Sequence, residues 1–381
     1  MARWGLYIHI PFCPYKCHYC DFVALPAGRR VARWQTGYAR ALVAEAVYWA
    51  GRMGPEPPAT VFFGGGTPTM LPAQDLVDVQ HALVRRLGLQ AGAEVSLEAN
   101  PGTVDARDLA QLRRAGFNRL SLGLQTARDD LLAAVGRHHT WDDFREAFRA
   151  ARAAGFENIG VDLICGLPGQ RLEDCLDTLR RVLDLEPEHV SLYALQVEEG
   201  TVLGAAVRRQ ALTVPDDDLV AEQLEACGRE LVAAGREHYE ISNFARPGRR
   251  CRHNLLYWEN ADYLGLGIAA HTHWRGERWK NTDRLSRYDE GVTRQDGSWV
   301  EDHEEADPVR ERSETAFLGL RLLDGIDLAS FAARHGLELG EAFPGVPERL
   351  VAEGLCQWGE GRLRLRPQAV AIANRAFVAF V

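Results

Sequence analysis

The strongest constraint on the fold is a repeated alternation along the first half of the chain. Short β-branched or aromatic runs alternate with amphipathic stretches, and glycine or proline marks most junctions. Strands are expected at Leu6–Ile10, Thr60–Phe63, Glu94–Glu98, Arg119–Leu124, Asn158–Leu163 and His189–Leu195. Helices are expected between them, at Arg33–Met53, Leu76–Leu87, Asp105–Ala115, Trp141–Ala154 and Leu172–Leu185. Six units of about 30 residues each call for parallel strands joined by helical crossovers. They make up most of a (β/α) barrel and fall short of its usual eight. A doubly wound sheet shares the pattern, and periodicity does not separate the two.

After Gly200 the regularity fades. Asp216–Ala234 reads as a helix, while residues 239–300, rich in Trp, Tyr, Asn, His and Gly, read as a loop-rich, ligand-facing segment. In the tail, helices are expected at Arg310–Leu323, Leu328–His335 and Glu348–Glu353, with a hairpin of Leu355–Trp358 and Arg362–Leu365 and a last helix after Pro367. Three helices and a two-stranded wing suggest a small winged-helix-like domain. The expected organisation is an α/β barrel core over 1–200, an extension over 201–304 and that domain over 305–381.

In 381 residues, 46% are apolar and 25% charged, values of an ordinary globular chain that exclude a largely disordered or collagen-like one. No apolar run approaches the ~18 residues of a membrane-spanning helix. The opening MARWGLYIHIPFC lacks the build of a signal peptide, so a cytoplasmic location is expected. A net charge of −9, from 44 basic and 53 acidic residues, gives no global attraction for nucleic acid or anionic membrane.

Eight cysteines are too few for a disulfide scaffold. Cys13, Cys17 and Cys20 form a C-x3-C-x2-C loop, whereas Cys165, Cys175, Cys227, Cys251 and Cys356 scatter and read as small buried hydrophobes. Three thiolates in one loop can hold three irons of a [4Fe–4S] cluster and leave the fourth iron open. An open coordination position is where a substrate or cofactor binds. The alternative is structural zinc, with His18 or a distant cysteine as fourth ligand. Structural zinc sites usually pair one C-x2-C with another, and no second pair is present, so the spacing favours iron–sulfur.

Further polar residues punctuate the strand ends. Gly64-Gly65-Gly66-Thr67-Pro68-Thr69 follows the second strand, where glycine lets backbone approach a ligand closely. No Gly-Lys-Ser/Thr follows, so it is not a phosphate-binding P-loop. Glu98, Gln125 and Asp162 lie at or just past three successive strand ends, and Arg137 follows the fourth strand. In a barrel that face carries the active site.

C-x3-C-x2-C after a first strand is similar to the signature of radical S-adenosylmethionine (SAM) enzymes. The resemblance implies a [4Fe–4S] cluster whose unique iron binds the amino and carboxylate groups of SAM, and reductive cleavage of SAM to a 5′-deoxyadenosyl radical. Over nearly the whole chain the order and intervals resemble the oxygen-independent coproporphyrinogen III oxidase branch. That likeness implies SAM contacts from Tyr7, Gly65, Gly66, Thr67, Glu98, Gln125, Arg137 and Asp162, with Tyr19 stacking on adenine. The planar fork of Arg137 suits the SAM carboxylate.

Two departures separate the chain from the true oxidases. Phe22 stands where they carry a fourth cysteine, and only a first strand and Pro11-Phe12 precede Cys13, where they carry an N-terminal extension. Both departures, with Cys17-His-Tyr-Cys20-Asp-Phe, resemble the HemW-type haem chaperones. His253-Asn254-Leu255-Leu256-Tyr257-Trp258 resembles their His-Asn-x-x-Tyr-Trp signature. The resemblance implies that His253 contacts haem, that Tyr257 and Trp258 pack on the porphyrin, and that haem passes to an acceptor protein, with transient contact to a membrane haem protein. It also implies that coproporphyrinogen oxidase activity is absent.

The residues alone leave alternatives. The 253–258 stretch also reads as an aromatic core segment with a hydrogen-bonded histidine, and His271, His273 and Cys251 are rival haem ligands. Arg249, Arg250 and Arg252 suit haem propionates or a solvated turn. The second function is anaerobic coproporphyrinogen III oxidation, and a distant third is a zinc-stabilised winged-helix DNA-binding protein. For the third, Arg362, Arg364 and Arg366 share one strand face. The acidic run Glu301, Asp302, Glu304, Glu305 and Asp307 argues against nucleic acid.

Overall fold

The computed structural model describes residues 3–381, apart from the side chains of 29–31. Six parallel strands carry the chain's first half: β1 (Gly5–Ile10), β2 (Thr60–Gly65), β3 (Glu94–Ala99), β4 (Arg119–Gln125), β5 (Ile159–Cys165) and β6 (His189–Ala194). Helices Arg29–Ala50, Ala73–Leu87, Ala106–Arg114, Trp141–Ala153 and Leu172–Leu183 make the crossovers. The helix starts are legible physically: Asp105 and Thr140 cap theirs with side-chain oxygens on backbone N–H groups.

Alternate residues of each strand face opposite ways, and the two faces differ in chemistry. Leu120, Leu122 and Leu124 of β4 are fully buried in the large core with Leu97, Val161 and Phe63. The intervening Arg119, Ser121 and Gln125 line a cavity with residues of the neighbouring strands. The parallel set is thus an incomplete (β/α)6 barrel with a polar interior.

The stretch 239–300, read from sequence as loop-rich, extends this sheet instead, within strands that run over 237–304. β7 (Glu237–Glu240) and β8 (Asn243–Ala245) pair antiparallel beyond β6. β9 (Tyr263–Leu266) pairs parallel with β1, and β10 (His271–Trp274), β11 (Glu277–Asn281) and β12 (Val300–Glu304) follow antiparallel. The sheet order is β12-β11-β10-β9-β1-β2-β3-β4-β5-β6-β8-β7. No pairing joins its two ends among the described residues, so the barrel stays open.

The tail packs around a core of its own, containing Phe331, Leu350, Leu363 and Phe380. Helices Pro308–Gly319, Leu328–His335 and Val346–Ala352 accompany a sheet ordered β13 (Ile326–Asp327), β15 (Arg362–Leu365), β14 (Cys356–Gly359). The helix expected after Pro367 is short turns, Pro367–Ile372, Asn374–Phe377 and Val378–Phe380. Arg362 pairs with Asp327 at 3.0 Å and Arg366 donates to the Cys356 carbonyl, so the basic face of the wing is largely committed within the tail.

Candidate functional site

The cysteine loop closes over the C-terminal end of the parallel strands. After β1, Pro11 turns the chain, and the Cys20 N–H donates to the Cys17 carbonyl at 3.3 Å, tightening the loop. Cys13, Cys17 and Cys20 are free, partly exposed thiols that line one cavity of about 640 Å3. Thr67 Oγ1 lies 3.5 Å from Cys13 Sγ, and Arg137 Nη1 lies 3.7 Å from Cys17 Sγ. Burial pushes the Cys13 and Cys20 thiols up. His18 does not line this cavity; its ring meets the Ala134 carbonyl at 3.3 Å, so the zinc alternative lacks its nearby fourth ligand.

The glycine run clamps the base of the loop. Gly66 and Thr67 donate their N–H groups to the carbonyls of Ile10 and Phe12, both at 2.8 Å. Gly65 has φ 109°, and a Cβ there would sit 2.5 Å from the His9 ring. Only glycine meets both demands. Asn100 donates to Thr67 Oγ1 at 2.8 Å and accepts from Arg137 Nη2 at 2.8 Å, linking the run to the arginine.

Arg137 also donates to the Gly123 carbonyl, but its buried Nε has no partner among the described residues. A buried donor left unpaired is costly, and it marks a place for an anionic acceptor. Gln125 takes φ 75° at a register shift against β5, which re-aims the chain at the cavity wall. Burial, and then the nearby Asp162, push Glu98 up to about 8, against a hydrogen bond from Gly65 N–H at 3.3 Å. Asp162 is also raised by burial, against hydrogen bonds from Ser191 and Ser121. Tyr19 lines the cavity and packs on a small cluster of Leu131, Val135, Ile164 and Leu167.

Tyr7 reaches His9 Nδ1 at 3.0 Å, and His9 Nε2 reaches the Val23 carbonyl at 3.1 Å. A carbonyl only accepts, so Nε2 carries the ring proton and Nδ1 accepts from the tyrosine hydroxyl. Three thiols on one loop, an orphaned guanidinium nitrogen and two carboxyls in one pocket fit a [4Fe–4S] cluster with SAM beside it.

A second cavity of about 420 Å3 adjoins the first and shares Tyr7, Asp21, Phe22, Gly65, Glu98 and Tyr257 with it. His9, Val23, Tyr263, Ala269 and His271 complete its wall. The 253–258 stretch forms the helix Arg252–Trp258, and its residues part company. His253 is buried at 1% exposure, with Nδ1 2.7 Å from Thr60 Oγ1 and Nε2 2.9 Å from Tyr257 Oη. Burial and the Arg119 charge hold its pKa down at about 3. It therefore reaches a haem iron only by giving up one of these bonds. Tyr257 lines both cavities. Trp258 lines neither and lies under the Arg321 guanidinium, 4.2 Å from ring centroid to Cζ.

Of the rival ligands, His271 lines the second cavity, while His273, Cys251 and the nearby arginines lie elsewhere. His273 is buried between the Ala261 carbonyl and Glu311, at 3.2 and 3.1 Å. Cys251 is buried, with its thiol 3.7 Å from Glu94. Arg250 pairs with Glu237 and Asp324, and Arg252 donates to the Gly92 carbonyl. Arg249, Arg250 and Arg252 line neither cavity.

Sequence reasoning missed Asn100, Arg119, Ser121, Ser191 and Tyr193, which share the first cavity. The usable signal was the period-two run Arg-Leu-Ser-Leu-Gly-Leu-Gln of β4, whose polar set must face something polar.

Comparison with known proteins agrees with this geometry. The radical SAM superfamily matches over residues 7–182 and the HemN C-terminal domain over 310–372. In overall fold the chain is similar to coproporphyrinogen III oxidase (HemN) from Escherichia coli, with a TM-score of 0.85 and 22% identity over 100% of this chain and 90% of that one. The heme chaperone HemW of Bacillus subtilis is 37% identical over 98% of both chains. That of Escherichia coli is 35% identical over 87% of this chain and 86% of its own. With thiol loop, sheet and tail all matched at this identity along nearly the full length, the chain belongs to the HemW family of heme chaperones within the radical SAM superfamily.

Proposed function

We propose that the chain binds haem and hands it to an acceptor protein, while Cys13, Cys17 and Cys20 hold a [4Fe–4S] cluster and the first cavity holds SAM. The observation that carries this reading is the pair of adjoining cavities: one presents three thiols and polar strand ends, the other an aromatic wall. Residues 1–200 hold cluster and SAM, 201–304 supply the haem segment, and 305–381 join the sheet through Glu311 and Glu314, which meet His273 and Arg278.

The cluster supplies one-electron chemistry to SAM when both are bound. Arg137 offers a guanidinium with a spare N–H to a carboxylate. Glu98, carrying a proton near neutral pH, can both donate to and accept from amino or hydroxyl groups, and Asp162 adds an acceptor. Gly65, Gly66 and Thr67 hold backbone beside the thiols, Tyr7 and Gln125 close the wall, and Tyr19 offers a flat face to a base. Tyr257 presents a ring to the macrocycle, with His253 fixing it from behind. No described helix is long and apolar enough to cross a membrane. A cytoplasmic protein that touches a membrane haem protein transiently is the setting we infer.

The test is haem transfer from the anaerobically reconstituted chain to an apo-haemoprotein. A transfer rate that rises with acceptor concentration supports delivery, since passive release gives a rate independent of it. Many turnovers of coproporphyrinogen III with SAM and a low-potential reductant would favour the oxidase reading instead.

A further inference from the structure

A haem iron needs a side chain with a free lone pair, and few candidates near these cavities have one. Three histidines line them: His9, His253 and His271. His9 has both ring nitrogens engaged, by Tyr7 and the Val23 carbonyl. His253 has both engaged, by Thr60 and Tyr257. His271 is exposed, stands first on β10, and makes no side-chain hydrogen bond among the described residues.

We propose that His271 is the protein ligand to haem iron, with the macrocycle lying in the second cavity against Phe22 and Tyr257. This assignment rests on the haem-binding reading above and adds the residue that makes the bond.

The surroundings suit that role. Phe22 is 63% exposed and lines both cavities. A large apolar ring held in water at a cavity mouth is poised to cover an apolar ligand face. Tyr257 stands edge-on to Tyr263, ring centroids 4.7 Å apart, so two aromatic rings back the same pocket. Partial burial, and then the charges of Lys280 and Arg278, hold the His271 pKa down, against Asp302. The imidazole is therefore neutral at physiological pH and its lone pair is available. Lys280 is the cross-strand neighbour of His271. The shared wall of Tyr7, Asp21, Gly65 and Glu98 would set the haem edge directly beside the SAM cavity.

The experiment titrates ferric haem into the full chain carrying its reconstituted cluster, and compares wild type, His271→Ala, His271→Met and His253→Ala. Soret position and haem affinity are read, with cluster absorption as the folding control. His271→Ala should weaken haem at least about tenfold, ~1.4 kcal/mol of binding, with normal cluster absorption. His271→Met should shift the Soret band to a thioether-ligated form, which a purely structural role would not produce. A wild-type spectrum and affinity in both His271 variants, with loss in His253→Ala, would overturn the assignment and leave haem binding standing. Failure of the wild type to bind haem would overturn the haem reading and the assignment with it.

Discussion

Thr60 and His253 lie 193 positions apart and are joined by a 2.7 Å hydrogen bond between Thr60 Oγ1 and His253 Nδ1. The bond ties the helix Arg252–Trp258 to the start of β2. It leaves the ring stacked on Phe62, centroids 5.2 Å apart, with its far nitrogen on Tyr257. Thr60→Val keeps the shape and removes the hydroxyl, so a buried ring nitrogen loses its partner. Leaving such a group unpaired costs about 1–3 kcal/mol. Urea unfolding of the cluster-free protein should show that loss, and a change near zero would mean the ring had found another partner.

Arg137 separates two functions of the first cavity. Replacing Cys13, Cys17 or Cys20 by Ala should abolish the cluster's absorption and paramagnetic signal. Arg137→Lys keeps a positive charge near Cys17 but loses the planar fork. SAM affinity, measured calorimetrically on the reconstituted protein, should fall about tenfold, ~1.4 kcal/mol, while the cluster spectrum persists. Unchanged SAM affinity would remove Arg137 from the binding set.

Glu98 makes stability depend on pH in a defined direction. Its folded pKa, about 8, lies above the ordinary 4.5. Between those values the unfolded chain has released a proton that the folded chain retains. Stability is therefore full below about pH 4.5 and falls as pH rises toward 8, at up to ~1.4 kcal/mol per unit. Glu98→Gln should flatten this part of the profile. Glu45, raised to about 7 by burial, leaves a residual slope below neutrality. Identical profiles for wild type and variant would show that water solvates the Glu98 carboxylate.

The barrel core was readable because its strands are apolar on the helix-facing side and four of its five crossover helices stop at glycine, the fifth before Pro187. The thiol loop was readable because its ligands are close in sequence. The sheet extension was not, because polar partners far away replace apolar alternation there. Asn281 of β11, Tyr288 and Trp299 all donate to the buried Glu45 of the first helix. Short strands such as His-Thr-His-Trp and turns at left-handed Asn260, Ala269 and Arg275 carry no strong local signal. His253 shows the same limit: its motif suggested a ligand and already holds one partner, Tyr257, but the other, Thr60, is visible only after folding brings that strand to it. His271 and His273 were equal candidates by sequence, yet one faces a cavity and the other is sealed against Glu311.

That seal yields the last prediction. Glu311, on the first tail helix, accepts from His273 of β10 and pairs with Arg334 of a second tail helix, so one carboxylate joins the sheet to two tail elements. Burial works against the charge, but His273 and then Arg334 outweigh it and hold the carboxyl at about 2. Because the folded pKa lies below the ordinary 4.5, the ionised form stabilises the fold above that pH. The contribution is lost as pH falls from about 4.5 through 2. Glu311→Gln keeps the side chain's size and removes the charge, so its deficit in stability should be largest above pH 4.5 and shrink toward pH 2, by up to ~1.4 kcal/mol per unit. Hydrogen exchange of residues 308–319 across that range should locate the change at the join between sheet and tail. A deficit that does not vary with pH would mean that packing of the side chain, and not its charge, holds the two together.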